Sequence, residues 1–124
     1  MTDQSPGERF AQALAAKDFD AVKATMSPAI DFRGLTPRRI WEAGDPDSVV
    51  ARILSRWFDP EDEIRSLEYM ESVSFADRER VGYRFQVTNA DGEFLVEQQA
   101  YLGTDAEGRI DWMRVVCSGF RPAT

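Results

Sequence analysis

The segment RVGYRFQVTNADGEFLVEQQAYLG, Arg80 to Gly103, decides the fold. Val81, Tyr83, Phe85 and Val87 alternate with Gly82, Arg84, Gln86 and Thr88. After Asn89-Ala90-Asp91-Gly92, Phe94, Val96, Gln98, Ala100 and Leu102 alternate with Leu95, Glu97, Gln99 and Tyr101. A period of two sends successive side chains to opposite faces of a strand. A short break rich in Asn, Asp and Gly between two such runs reads as a hairpin. The first set on each strand is the more apolar one and faces the core, while the second faces outward.

The pattern continues on both sides. Arg65 to Ala76 and Arg109 to Ser118 are also strand-like, and Asp77-Arg78-Glu79 and Thr104-Asp105-Ala106-Glu107-Gly108 supply the turns, so the second half of the chain is an antiparallel meander. The first half is helical. Ser5-Pro6-Gly7-Glu8 reads as a capping box with proline at the first helical position, which starts a helix that runs to Lys17 with Phe10 and Leu14 inward. Asp18 caps a second helix with Phe19, Val22 and Met26 on one face, ending before Ser27-Pro28. Ile30 to Arg33 forms a short strand, Thr36-Pro37 starts a single helical turn containing Ile40 and Trp41, and Asp45-Pro46 starts a third helix with Val49, Val50, Ile53, Leu54, Trp57 and Phe58 at 3.6-residue spacing. Helices gathered ahead of a meander predict an α+β fold, with three N-terminal helices laid on one face of a curved antiparallel sheet as a single domain over residues 1–124.

Composition narrows the functions available. A chain of 124 residues with 43% hydrophobic and 30% charged residues is long enough to bury a core without a staple. One cysteine forbids an internal disulfide, and the absence of histidine removes the commonest metal ligand together with the commonest general base, so neither a metal nor a cofactor is expected. The acidic run Asp59-Pro60-Glu61-Asp62-Glu63 lacks the alternating ligands and central glycine of a calcium loop and reads as a solvated loop after the third helix. A net charge of −7 repels nucleic acid and anionic membranes. No window approaches the roughly twenty apolar residues of a membrane span, and MTDQSPGERF lacks the apolar centre of a signal peptide, which gives a cytoplasmic expectation.

The order helix, helix, short strand, helix and four hairpin-linked strands, with AIDFRGLTP after the second helix and AEGRIDWMRVVCSGF at the end, resembles the nuclear transport factor 2-like superfamily. Within it the chain resembles the SnoaL-like and ketosteroid-isomerase-like branch. The resemblance implies a cone whose sheet and covering helices enclose a mostly apolar pocket. It also implies dimerisation through the outer sheet face. Members of the superfamily include isomerases, cyclases, dehydratases, epoxide hydrolases and non-enzymatic binding or dimerisation modules, so the fold does not select the chemistry. In ketosteroid-isomerase-like members an Asp on the first strand takes the proton. Here that place falls on Arg33, with Asp31 two residues earlier, and an arginine is no general base at neutral pH.

The inner face offers Tyr83, Gln98 and Cys117 as polar groups, with Phe85 and Met113 beside them and Trp41, Trp57 and Arg33 closing around them as a ligand pocket. Tyr83 and Gln98 either polarise a ligand carbonyl, as an isomerase or cyclase would require, or satisfy one another. Arg33 either clamps a carboxylate in the pocket or pairs with Asp31. Outside, Tyr101, Trp112, Arg114 and Val116 mix aromatic, basic and apolar character, as a homodimer interface does, and the other reading is a solvated face with cross-strand pairs such as Gln86 with Glu97. Cys117 follows Met113 and Val115 on the inner face, with no histidine in the chain and Arg114 on the opposite face by alternation, and reads as packing at the pocket wall. The chain is expected to be a small-molecule-binding pocket protein, and the contrasting expectation is a dimerisation module with an incidental cavity.

Overall fold

The computed structural model describes residues 4–123, so Met1 to Asp3, part of the stretch read above for a leader, lie outside the described residues, as does Thr124. The elements run α1 (Pro6–Ala15), α2 (Phe19–Ala24), β1 (Met26–Thr36), β2 (Arg39–Ala43) and a third helical segment, α3. This last passes through an α turn (Pro46–Ser48), a π-helical stretch (Val49–Leu54) and a closing α turn (Ser55–Trp57). Strands β3 (Glu63–Phe75), β4 (Arg78–Asn89), β5 (Gly92–Thr104), β6 (Ile110–Cys117) and β7 (Arg121–Pro122) follow.

The capping box forms as its residues dictate. Ser5 Oγ accepts from Glu8 N at 3.1 Å, and Glu8 Oε1 accepts from Ser5 N at 2.9 Å. The Glu79 carboxylate on β4 then takes Gly7 N at 3.0 Å, Ser72 Oγ at 2.7 Å and the Ser5 hydroxyl, which pins the positive end of α1 to the β3–β4 hairpin. Phe10, Ala11 and Leu14 are fully buried against the sheet. Burying a side chain of the size of Phe10 or Leu14 contributes about 1.5–3 kcal/mol.

The sheet order is β2-β1-β6-β5-β4-β3, with β7 also paired to β5. From β3 to β6 every pairing is antiparallel, as the hairpin turns require. The β1–β6 pairing is parallel, because β1 enters from a helix on the covering face and not through a hairpin. Val81, Tyr83, Phe85, Val87, Val96, Gln98, Ala100, Leu102, Met113, Val115 and Cys117 are buried on one face, so the period-of-two assignment of inner and outer faces holds. Register places Arg84, and not Gln86, opposite Glu97, and their ion pair is 3.1 Å long; Gln86 lies opposite Leu95.

Three elements differ from their sequence reading. Thr36-Pro37 opens no helical turn: Arg38 takes φ 71° and the chain reverses into β2, pairing Gly34 with Trp41 and Thr36 with Arg39. The short strand at Ile30 to Arg33 is the middle of the longer β1, which runs through Pro28 across a register shift between Met26 and Asp31, where a proline costs no ladder hydrogen bond. The third helix keeps its apolar stripe, but its middle is π-helical. The acidic loop is not wholly solvated either: Asp62 is 9% exposed, accepts from Asn89 Nδ2 at 2.9 Å and from Asp59 N at 3.1 Å, and so ties the end of α3 to β4.

Candidate functional site

The strand that carries Cys117 ends with it. Ser118 N donates to Glu97 O at 2.8 Å and Ser118 Oγ accepts from Glu97 N at 2.9 Å, Gly119 takes φ 75°, and pairing with β5 resumes at Arg121. The interruption is a bulge that swings Phe120 inward, where its ring lies 6.1 Å from Phe58 and 5.6 Å from Phe94. A Cβ at position 119 would meet Pro37 at 3.0 Å, so glycine allows both the positive φ and the close approach of the β1–β2 turn.

Between this bulge, the β1–β2 hairpin and the end of α3 is a cavity of about 220 Å³ lined by Thr36, Trp41, Trp57, Phe58, Cys117, Gly119 and Phe120. Trp41 Nε1 donates to Thr36 Oγ1 at 2.8 Å, which fixes one indole across the hairpin. Trp57 meets it edge to face at 6.3 Å and 86°, so the two indoles wall the space without filling it. Gly34 allows this arrangement, since a Cβ there would lie 2.5 Å from the Trp57 ring. Trp57 is 7% exposed and its Nε1 has no hydrogen-bond partner among the described residues.

Of the expected pocket residues, Trp41, Trp57 and Cys117 gather at this cavity. Tyr83, Phe85, Gln98 and Met113 share the inner face but lie deeper in the packed core. Arg33 is corrected. Phe32 takes the inward place on β1, so Arg33 is exposed on the outer face, 3.4 Å from Glu42 and 4.0 Å from Asp31. Asp31 also meets Arg114 at 3.3 Å, and neither side chain reaches the cavity. Thr36, Phe58, Gly119 and Phe120 complete the wall without having been singled out for it. The signal for them was the Gly-Phe step after a strand-ending serine.

One row of polar side chains crosses the inner face. Tyr83 lies opposite Gln98, and Gln98 lies opposite Cys117. Tyr83 OH donates to Gln98 Oε1 at 2.5 Å, so the two satisfy one another at that atom, while Gln98 Nε2 has no partner among the described residues. Cys117 Sγ accepts from Gly119 N at 3.4 Å. Burial, with a smaller contribution from Cys117, holds the Tyr83 pKa well above its usual 10. The folded state therefore keeps the phenol proton where the unfolded chain releases it, so this contribution to stability is complete below the unfolded pKa and is lost as pH rises beyond it toward the folded value. Tyr83→Phe is expected to flatten the alkaline fall in stability, measured by denaturant midpoints between neutral pH and about pH 11. An unchanged alkaline slope would contradict this assignment.

Cys117 is 7% exposed among Met113, Val115 and the aromatic wall, an environment that leaves it a small apolar packing group. Cys117→Ala is expected to cost on the order of 1 kcal/mol in denaturant unfolding, below the 2–5 kcal/mol of larger core truncations. A loss beyond about 3 kcal/mol would contradict this role.

Comparison with known proteins bears on the fold. No protein-family model matches the sequence, and no curated protein matches it. Solved structures do match. An NTF2-like protein from Burkholderia thailandensis is similar at 18% identity and TM-score 0.68, over 94% of this chain and 93% of that one. A protein from Rhodopseudomonas palustris provisionally assigned as an isomerase superposes at TM-score 0.72 and 17% identity, over 94% and 91%. An LEH-like epoxide hydrolase from M. tuberculosis does so at TM-score 0.64 and 15% identity, over 91% and 80%. The chain has the NTF2-like α+β cone fold, a curved sheet covered on one face by helices.

Proposed function

We propose that this protein binds a small, mainly apolar molecule bearing a hydrogen-bond acceptor, in the cavity between α3, the β1–β2 hairpin and the β6–β7 bulge. The observation that carries the reading is Trp57 Nε1, a buried donor in the cavity wall without a partner among the described residues; Gln98 Nε2, likewise unpartnered, lies beneath that wall beside Cys117. A buried unsatisfied donor costs about 1–3 kcal/mol, and a guest carbonyl or ether oxygen recovers that cost. The volume, about 220 Å³, exceeds the roughly 150 Å³ that holds benzene and falls short of the roughly 300 Å³ at which drug-sized pockets begin. The guest is therefore a one- or two-ring molecule or a medium alkyl chain.

The lining residues carry no carboxylate, and Asp31 faces away, so binding is favoured over proton abstraction. An isomerase- or cyclase-type reaction, in keeping with the assignment of the Rhodopseudomonas palustris protein, would use Gln98 to polarise a carbonyl and would take its base from outside the lining. A thermal-shift screen with aromatic and alicyclic ketones, alcohols and acids tests the reading. Ketones are expected to raise the melting temperature more than hydrocarbons of the same shape, and equal shifts would remove the role of the free donors.

We further propose a homodimer through the outer sheet face. Tyr101, Val116, Phe75 and Val73 are exposed there, Phe75 meets Tyr101 at 6.1 Å, and Trp112 is stacked by Arg78 at 4.0 Å and Arg114 at 4.5 Å. Arg80–Glu71, Arg84–Glu97 and Arg114–Asp31 pairs balance the charge of this face in a chain of net charge −7, so two copies can approach it without repulsion. Sedimentation at micromolar concentration is expected to give twice the chain mass, and Val116→Glu to give the monomer mass. A monomeric wild type contradicts the dimer.

A further inference from the structure

β2 and α3 enclose a second space that shares Trp41 with the apolar cavity, a cleft of about 300 Å³ lined by Arg39, Ile40, Trp41, Glu42, Arg52, Ile53 and Arg56. Three arginines, all exposed, line it together with one carboxylate, and that carboxylate, Glu42, is already engaged by Arg33 at 3.4 Å. Arg39, Arg52 and Arg56 form no ion pair among the described residues, whereas Arg33, Arg80, Arg84 and Arg114 on the outer sheet face all do. Asp45, at the start of α3, spends its carboxylate on Ser48 N at 2.7 Å and Ser48 Oγ at 3.0 Å, so Arg52 senses it only at longer range.

Like charges four residues apart on a helix repel, and Arg52 and Arg56 are so spaced on α3 while Arg39 faces them from β2. In a chain carrying −7 overall, an unpaired cationic cluster retained in one cleft is suited to a multivalent anion. Arg39 Cζ lies over the Trp41 ring, 3.6 Å from its centroid, which helps to hold its fork in place. The π-helical stretch that carries Arg52 is a rare geometry that is frequent at functional sites. A phosphate presents several terminal oxygens and up to two charges, enough for three planar forks; a carboxylate saturates one.

The two spaces adjoin. Trp41 lines both, and Ile53 in the cleft is followed four residues later on α3 by Trp57 in the cavity wall. We propose that the cleft of Arg39, Arg52 and Arg56 is an anion subsite that takes the phosphate of a small organic phosphate ester whose apolar part occupies the cavity beyond Trp41. The inference rests on the cavity reading above for its apolar half and on the arginine cluster alone for its anionic half.

Calorimetric titration of the intact chain with octyl phosphate, 1-octanol and inorganic pyrophosphate tests both halves, with Arg52→Gln/Arg56→Gln as the test variant and Arg65→Gln as a control that removes charge on β3. Octyl phosphate is expected to bind about tenfold or more tightly than 1-octanol at low ionic strength, consistent with charge-assisted hydrogen bonds. The preference should shrink as salt rises, vanish in the double variant and persist in Arg65→Gln. Equal affinities for octyl phosphate and 1-octanol in the wild type, or a preference that survives in the double variant, would overturn the proposal. Failure of both octyl compounds to bind would remove the apolar half. In that case pyrophosphate binding that depends on Arg52 and Arg56 upholds the anion subsite, and its absence overturns that as well.

Discussion

Gly34→Ala is expected to abolish guest binding and to destabilise the fold by about 2–4 kcal/mol, beyond the ordinary 1–3 kcal/mol of an overpacked core site. The added Cβ would lie 2.5 Å from Trp57 Cη2 and 2.7 Å from Cζ2. An indole has no flexible end to withdraw. The ring is held by Phe32 at 6.3 Å and Trp41 at 6.3 Å, so the space open to it is the cavity itself, and a displaced Trp57 fills the place of the guest. At roughly 3–5 °C per kcal/mol, between the values for smaller and larger domains, the melting temperature falls by about 6–20 °C. Urea unfolding together with the thermal-shift screen measures both effects. A variant within about 0.5 kcal/mol of wild type that still binds would show that the indole does not rest on that strand.

Gln98→Leu separates the two hydrogen-bonding halves of one side chain. Leucine keeps most of the volume but removes the acceptor of the Tyr83 hydroxyl, in a place where Tyr83 is fully buried and Gln98 is 1% exposed. An orphaned hydroxyl costs about 1–3 kcal/mol, and the simultaneous loss of the unsatisfied Nε2 offsets part of it, so a net loss of about 1–2 kcal/mol is expected. Any ligand-induced thermal shift that depends on a guest oxygen should disappear. Tyr83→Phe/Gln98→Leu removes both partners and is expected to be more stable than Gln98→Leu alone, a non-additivity that a double-mutant cycle reads directly. Retained ketone binding in a folded Gln98→Leu protein would assign the guest's hydrogen bond to Trp57 Nε1 alone.

The period of two made the inner face of β4, β5 and β6 readable residue by residue, since a strand whose one face is buried tolerates no slip in register. That rule gives the face a side chain occupies but not its depth, which is why Tyr83, Phe85 and Met113 lie on the expected face and yet beneath the cavity, in the packed core. Arg33 was misplaced by alignment to a family position, although alternation about Phe32 would have turned it outward. Thr36-Pro37 carried the sequence marks of a helix start, and only the pairing of Gly34 with Trp41, a contact set by the whole sheet, makes it a hairpin. The π-helical stretch leaves no mark in the apolar stripe, because Val49, Val50, Ile53 and Leu54 stay buried in either winding. The bulge at Ser118 and Gly119 was legible as a strand end. That it turns Phe120 into a wall of the cavity depends on Phe58, a residue far away along the chain.

The parallel pairing of β1 with β6 sets an order of assembly. Strands β3 to β6 are joined by short turns, and their contacts are local enough to form early. Strand β1 leaves a ribosome long before its partner exists: Asp31 pairs beside Trp112 and Leu35 beside Val116, so the first hairpin has no neighbouring strand to join until nearly the whole chain has been synthesised, whereas α1 can already rest on the β3–β4 hairpin. A chain released before Ile110 would present the open edges of β1 and β5 together, with Ile30 and Phe32 uncovered, which is the arrangement that recruits neighbouring strands into aggregates. Strand β6 therefore acts as the keystone of translation as well as of the cavity: its arrival converts a free-standing meander and a waiting N-terminal half into one cooperative unit.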